Sequence, residues 1–99
     1  MHIVKFKKWN CELQFGKYYN GRTAIELIEV GTGDPVAVAT VNILEIGELE
    51  NDEVVIKDYS ENSGMLKTLV KHKIVSDPIA THKRDWVTFY VCKLLVKPE

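Results

Sequence analysis

No apolar run in the chain approaches the roughly 20 residues that a membrane-spanning helix needs. The opening stretch MHIVKFKKWNCELQF alternates lysine with apolar residues, unlike the apolar core of a signal peptide. These two absences predict a cytoplasmic protein with no membrane partner. Cysteine is nearly missing as well. Cys11 and Cys92 are the two among 99 residues, and in a reducing compartment they read as buried, unlinked small hydrophobes. A basic excess is also lacking: the net charge is −1 and the isoelectric point about 6.3, which excludes the global positive field of a non-specific nucleic-acid binder.

Motifs of known chemistry are missing too. The chain has no nucleophile elbow, phosphate-cradling loop or metalloprotease helix. GTGD at positions 31 to 34 has glycines but neither the following lysine nor the helix of a phosphate loop, so it reads as a hairpin turn. Cys11, His72, His82 and Cys92 could hold zinc only if distant segments converged, because no closely spaced Cys or His pair supplies a chelating half-site. Neither cysteine is a good nucleophile candidate, since both fall in apolar strand patterns. The expectation is therefore a non-enzymatic protein without a cofactor or metal.

What is present is an ordinary globular composition, 45% hydrophobic and 27% charged, on a chain short enough for one domain over residues 1–99. The charge is unevenly distributed. Positions 12 to 61 carry eleven acidic residues against Lys17, Arg22 and Lys57, a balance of −8; the first eleven residues contribute +3 and the last 38 contribute +4. An acidic middle lies between basic ends.

The first third alternates as strands do. Val4 and Phe6 oppose Lys5 and Lys7, a turn is expected at Trp9 and Asn10, and Cys11, Leu13 and Phe15 form the next inward face. Asn20-Gly21 predicts a type I′ hairpin turn. After a turn at residues 31–35, Val36 and Val38 lie on one face and Ala37, Ala39, Val41 and Ile43 on the other, which predicts a central strand with a helix lying on the alanines. A polar connection with five carboxylates precedes a strand at VVIKDY.

The segment DYSENSGMLKTLVKHK reads as helix punctuation followed by a helix. Asp58 or Ser60 can accept hydrogen bonds from the first helical N–H groups, and Asp58 with Glu61 fits a capping box. Met65, Leu66, Leu69 and Val70 recur at helical spacing, and Lys71, His72 and Lys73 suit the last turn, giving a helix over about 61–73. Gly64 is the misfit, explained either by a later helix start or by close packing on Ala37 and Ala39. The tail DWVTFYVCKLLV reads as one long final strand. The fold class is α+β: a mostly antiparallel sheet of about six strands with one amphipathic helix packed on one face.

At NGRTAIEL, ATVNI and IKDYSENSGML the chain resembles a domain-of-unknown-function family of small proteins from bacterial phages, plasmids and conjugative elements. The likeness extends from about Trp9 to Leu95. It implies an accessory role inside a bacterial host cell and supplies no activity or catalytic residues. That setting suggests an inhibitor of a bacterial nucleic-acid-targeting defence enzyme, in the manner of an anti-CRISPR protein.

Binding surfaces are the better candidates. Trp9, Tyr18, Tyr19 and Arg22 fall near the two expected hairpin turns and are residue types that anchor interfaces. Glu45, Glu48, Glu50, Asp52 and Glu53 could enter a basic groove of a host nucleic-acid-handling enzyme, the protein acting by occlusion as a monomer or small homo-oligomer. The alternative is a single-stranded nucleic-acid binder using Lys5, Lys7 and Lys8 with Trp9, Tyr18 and Tyr19.

Overall fold

Alternating apolar residues shape the first sheet. In a computed structural model that describes residues 2–98, β1 (Ile3–Phe6) and β2 (Trp9–Lys17) pair antiparallel with Phe6 opposite Trp9. Their turn is therefore Lys7 and Lys8, two residues before the expected position, with Lys7 at φ +55°. β3 (Thr23–Glu29) pairs with β2 and buries Thr23, Ile25 and Leu27 in alternation. The β2–β3 turn differs from the type I′ expectation, which requires positive φ at both central residues. Only Gly21 has it, at φ +86°. The Gly21 N–H donates to the Tyr18 carbonyl at 2.9 Å and the Tyr18 N–H to the Arg22 carbonyl at 2.8 Å, closing a three-residue loop.

β4 (Pro35–Val38) closes the four-stranded sheet, in order β1-β2-β3-β4. It is an edge strand with Val38 45% exposed, not the central strand its apolar faces suggested. Just past Val38 the chain crosses from the first sheet to the second. The Ala39 N–H donates to the Ile25 carbonyl at 2.8 Å, the Lys57 N–H to the Ala39 carbonyl at 2.9 Å, and Thr40 bridges Ile56.

The second sheet has the order β5-β7-β6, from β5 (Glu53–Ile56), β6 (Ala80–Arg84) and β7 (Val87–Lys93). β6 was not foreseen, and the expected single tail strand is instead half of a hairpin that turns at Asp85 and Trp86. The architecture is α+β and mostly strand, with seven strands in two antiparallel sheets among the described residues. The main core unites Val4, Phe6, Ile25 and Leu27 of the first sheet with Val54, Ile56 and Cys92 of the second. No helix of the described residues is long and apolar enough to cross a membrane.

The helix is shorter than its periodicity implied. A 3₁₀ turn at Ser60–Asn62 precedes α1 (Met65–Lys71), which adds Met65 and Leu69 to the core and half-buries Leu66 and Val70. The two are separated by Gly64 at φ +95°, where a Cβ would meet no atom within 4 Å. Glycine is needed there for its backbone conformation, and close packing on the alanines plays no part. Asp58 does cap the helix: one carboxylate oxygen accepts from the N–H groups of Gly64 at 3.1 Å and Leu66 at 2.9 Å. The capping box does not form, because the Glu61 carboxylate pairs with Lys57 at 3.0 Å. At the other end Lys73, at φ +59°, reverses the chain, and the Ile74 N–H returns to the Leu69 carbonyl at 2.9 Å.

Two polar side chains fix this segment. Asn62 is 1% exposed, and its amide nitrogen donates to the carbonyls of Val38 at 2.6 Å and Lys57 at 3.1 Å. His72 lies beside the edge of β1. Its Nδ1 meets the Thr68 carbonyl at 2.9 Å, so that nitrogen carries the proton and Nε2 accepts a long contact from the Lys5 N–H at 3.5 Å.

Candidate functional site

The connection between residues 41 and 53 is not a freely solvated acidic loop. Val41, Ile43, Ile46 and Leu49 pack on Val55, Phe89 and Val91, covering the face of the second sheet opposite the main core. A single 3₁₀ turn, Leu44–Ile46, shapes the crossing. Arg22 holds it from the β2–β3 side: its guanidinium donates to the Ile43 carbonyl at 2.7 Å and to the Gly47 carbonyl. Arg84 holds it from the β6–β7 side, bonding the Glu45 carboxylate at 2.8 Å. That hydrogen bond keeps Glu45 below the usual carboxylate range.

The five carboxylates therefore divide. Glu45 is paired with Arg84. Asp52 and Glu53 both face the Lys93 ammonium, at 3.1 and 3.4 Å, and the hydrogen bond to Asp52 leads the contacts that raise Lys93 above its ordinary value. Glu53 also accepts from the Glu50 N–H at 2.8 Å. Glu48 and Glu50 have exposed side chains and make no ion pair among the described residues. They line a cleft of about 380 Å³ between this connection and the β2–β3 turn, with Arg22 and Asn20 on its far wall.

The predicted aromatic group does not form one cluster. Trp9 starts β2 and Tyr18 follows its end, so the length of the strand separates them, roughly 30 Å at strand spacing. Trp9 is half-buried on the core with the Lys8 ammonium 5.2 Å from its ring centre. Tyr18 is half-buried too, its hydroxyl 3.0 Å from the Thr40 hydroxyl. Arg22 is committed to the loop. Of the four, Tyr19 alone is presented to solvent, 85% exposed at the turn. The same separation divides Lys5, Lys7 and Lys8 from Tyr18 and Tyr19, so those residues do not make a single stacking surface.

The most accessible aromatic is one the sequence reading placed inside a strand. Trp86 is 100% exposed at the tip of the β6–β7 hairpin. Arg84, two residues before it, contacts Glu45, and the adjoining Leu44 is 56% exposed. The available signal was the run KRDW, where charged residues break the apolar alternation just before the final strand. Tyr19, Leu44, Glu48, Glu50 and Trp86 are thus exposed on the connection and on the tips of the two hairpins that clamp it.

No comparable gathering of reactive side chains occurs among the described residues. Cys11 and Cys92 are free and fully buried. Burial raises both thiols, Cys92 to about 11, which keeps them protonated near neutrality. His82 stacks on Phe89 at 6.3 Å while His72 lies by β1, and no group of three or more potential metal ligands occurs among the described residues. Comparison with protein families, curated proteins and solved structures finds no match to the chain.

Proposed function

We propose that the protein is a non-enzymatic protein-binding module whose working face is the clamped connection and its two hairpin tips. The observation that carries this reading is Trp86, fully exposed at the tip of a hairpin that the Arg84–Glu45 pair ties to the connection. Tryptophan, tyrosine and arginine are the residues most often responsible for binding energy at interfaces. Here the aromatics stand on tight turns, so little loop freedom remains to be lost on association. Glu48 and Glu50, without internal cations, favour a partner with a basic surface and would steer it electrostatically. The resemblance to mobile-element proteins makes a nucleic-acid-handling enzyme of a bacterial host the partner to test first, with occlusion of its substrate groove as the mode of inhibition.

The test is affinity capture from a bacterial host lysate, followed by binding kinetics with the purified partner. Trp86→Ala should weaken binding by about 30-fold or more, as loss of about 2 kcal/mol requires, chiefly through faster dissociation. Glu48→Lys with Glu50→Lys should slow association at low salt. Unchanged kinetics in both folded variants would remove this face from the function.

A further inference from the structure

β1 with its turn and α1 flank the acidic middle segment in sequence, and together they carry Lys5, Lys7, Lys8, Lys67 and Lys71. Where they meet, Lys5 of β1, Lys7 of the β1–β2 turn, Lys67, Thr68 and Lys71 of the helix and His72 at its C-terminal cap line one open groove of about 490 Å³. The four lysines are exposed. Lys7 is partly anchored, donating to the Glu61 carbonyl at 2.8 Å. Lys5, Lys67 and Lys71 take part in no ion pair among the described residues. In a chain of net charge −1, four ammonium groups are thus gathered on one groove while the free carboxylates Glu48 and Glu50 line a different cleft.

We propose that this groove binds the phosphodiester backbone of a nucleic acid without reading its sequence. Lys67 and Lys71 are four apart on a helix, which sets their Cβ atoms about 5–6 Å apart, a spacing comparable with successive phosphates, and Lys5 of β1 with Lys7 of the following turn adds two more charges to the lining. Thr68 adds a hydroxyl donor between them. The lining has no Phe, Tyr or Trp, so it offers no large ring for base stacking and the lysines carry the contact. Repeated cationic contacts along an open channel suit a linear polyanion. The groove does not use the face proposed above for the protein partner. Together they would let one small protein engage an enzyme and the nucleic acid it handles.

Fluorescence anisotropy of labelled single-stranded and duplex oligonucleotides, titrated between 50 and 200 mM salt, tests this. Four phosphate contacts predict a slope of log affinity against log salt of about −3 for the single strand and about −3.6 for the duplex. Lys67→Ala with Lys71→Ala should make the single-strand slope shallower by about 1.4 and weaken binding roughly 50-fold at 50 mM salt. Lys5→Gln should give about half that change in slope. Circular dichroism confirms that each variant is folded. The proposal is overturned by no binding at 50 mM salt, by unchanged affinity in the double lysine variant, or by equally tight binding of a polyglutamate peptide. Each of these results leaves the Trp86 face untouched, so the two readings fail separately.

Discussion

Asn62→Ala is the substitution that most directly tests how the 3₁₀ turn is held. The Asn62 side chain is 1% exposed and donates to two carbonyls, one from the end of β4 and one from the end of β5. Truncation removes two neutral hydrogen bonds, each contributing about 0.5–1.5 kcal/mol net, and strands acceptors whose desolvation costs about 1–3 kcal/mol if water cannot enter. Partial overlap between these terms leaves an expected loss of about 2–4 kcal/mol. At a urea m-value of about 1.5 kcal/mol/M, that lowers the denaturation midpoint by about 2 M with no change in slope. Asn62→Asp supplies the control: it keeps the shape but aims a carboxylate at two carbonyl oxygens, so at pH 7 it should be less stable than the alanine variant. An alanine variant within about 0.5 kcal/mol of wild type, or an aspartate variant as stable as wild type, would refute the pinning role.

Leu69→Ala should cost about 2–5 kcal/mol in urea denaturation, since the side chain is fully buried in the main core and its loss leaves a cavity. Cys92 should make stability fall in alkali. Its folded thiol titrates at about 11 against an ordinary 9.0, so the unfolded chain releases its proton first. The contribution is complete below pH 9 and lost between pH 9 and 11, about 2–3 kcal/mol in all. Comparing wild type with Cys92→Ala across that range checks it, and parallel pH curves would contradict the buried thiol.

How much was legible in the sequence depended on whether a residue's role was local. The inward faces at Val4, Phe6, Cys11 and Leu13 follow from alternation and were readable, as were the helix core positions Met65 and Leu69. Asp58 as a cap was readable for the same reason, because its partners lie within eight positions. Arg22 has the chemistry of an interface residue, yet its guanidinium is spent within the fold. Its carbonyl acceptors lie 21 and 25 residues away, and periodicity does not register such distances. The acidic run misled similarly: Glu45, Asp52 and Glu53 are matched by Arg84 and Lys93 from the far end of the chain. β6 was missed because ATHKR is exposed along most of its length and carries no apolar alternation. Trp86 was misread because a tryptophan before β-branched residues suggests a strand interior, whereas Asp85 at φ +55° makes the turn there.

Thr40 has a consequence for how the molecule opens. Its hydroxyl accepts from the Ile25 N–H at 3.1 Å and meets the Tyr18 hydroxyl, while its backbone bridges Ile56. One residue thus ties the β2–β3 hairpin to the strand that founds the second sheet, and the neighbouring amides of Ala39 and Lys57 close the same junction. Separating the sheets breaks these bonds together and exposes the core from both sides. The amides of Ile25, Ala39 and Lys57 should therefore exchange with deuterium at a common rate set by global unfolding, while those at the Tyr19 and Trp86 tips exchange through local fraying.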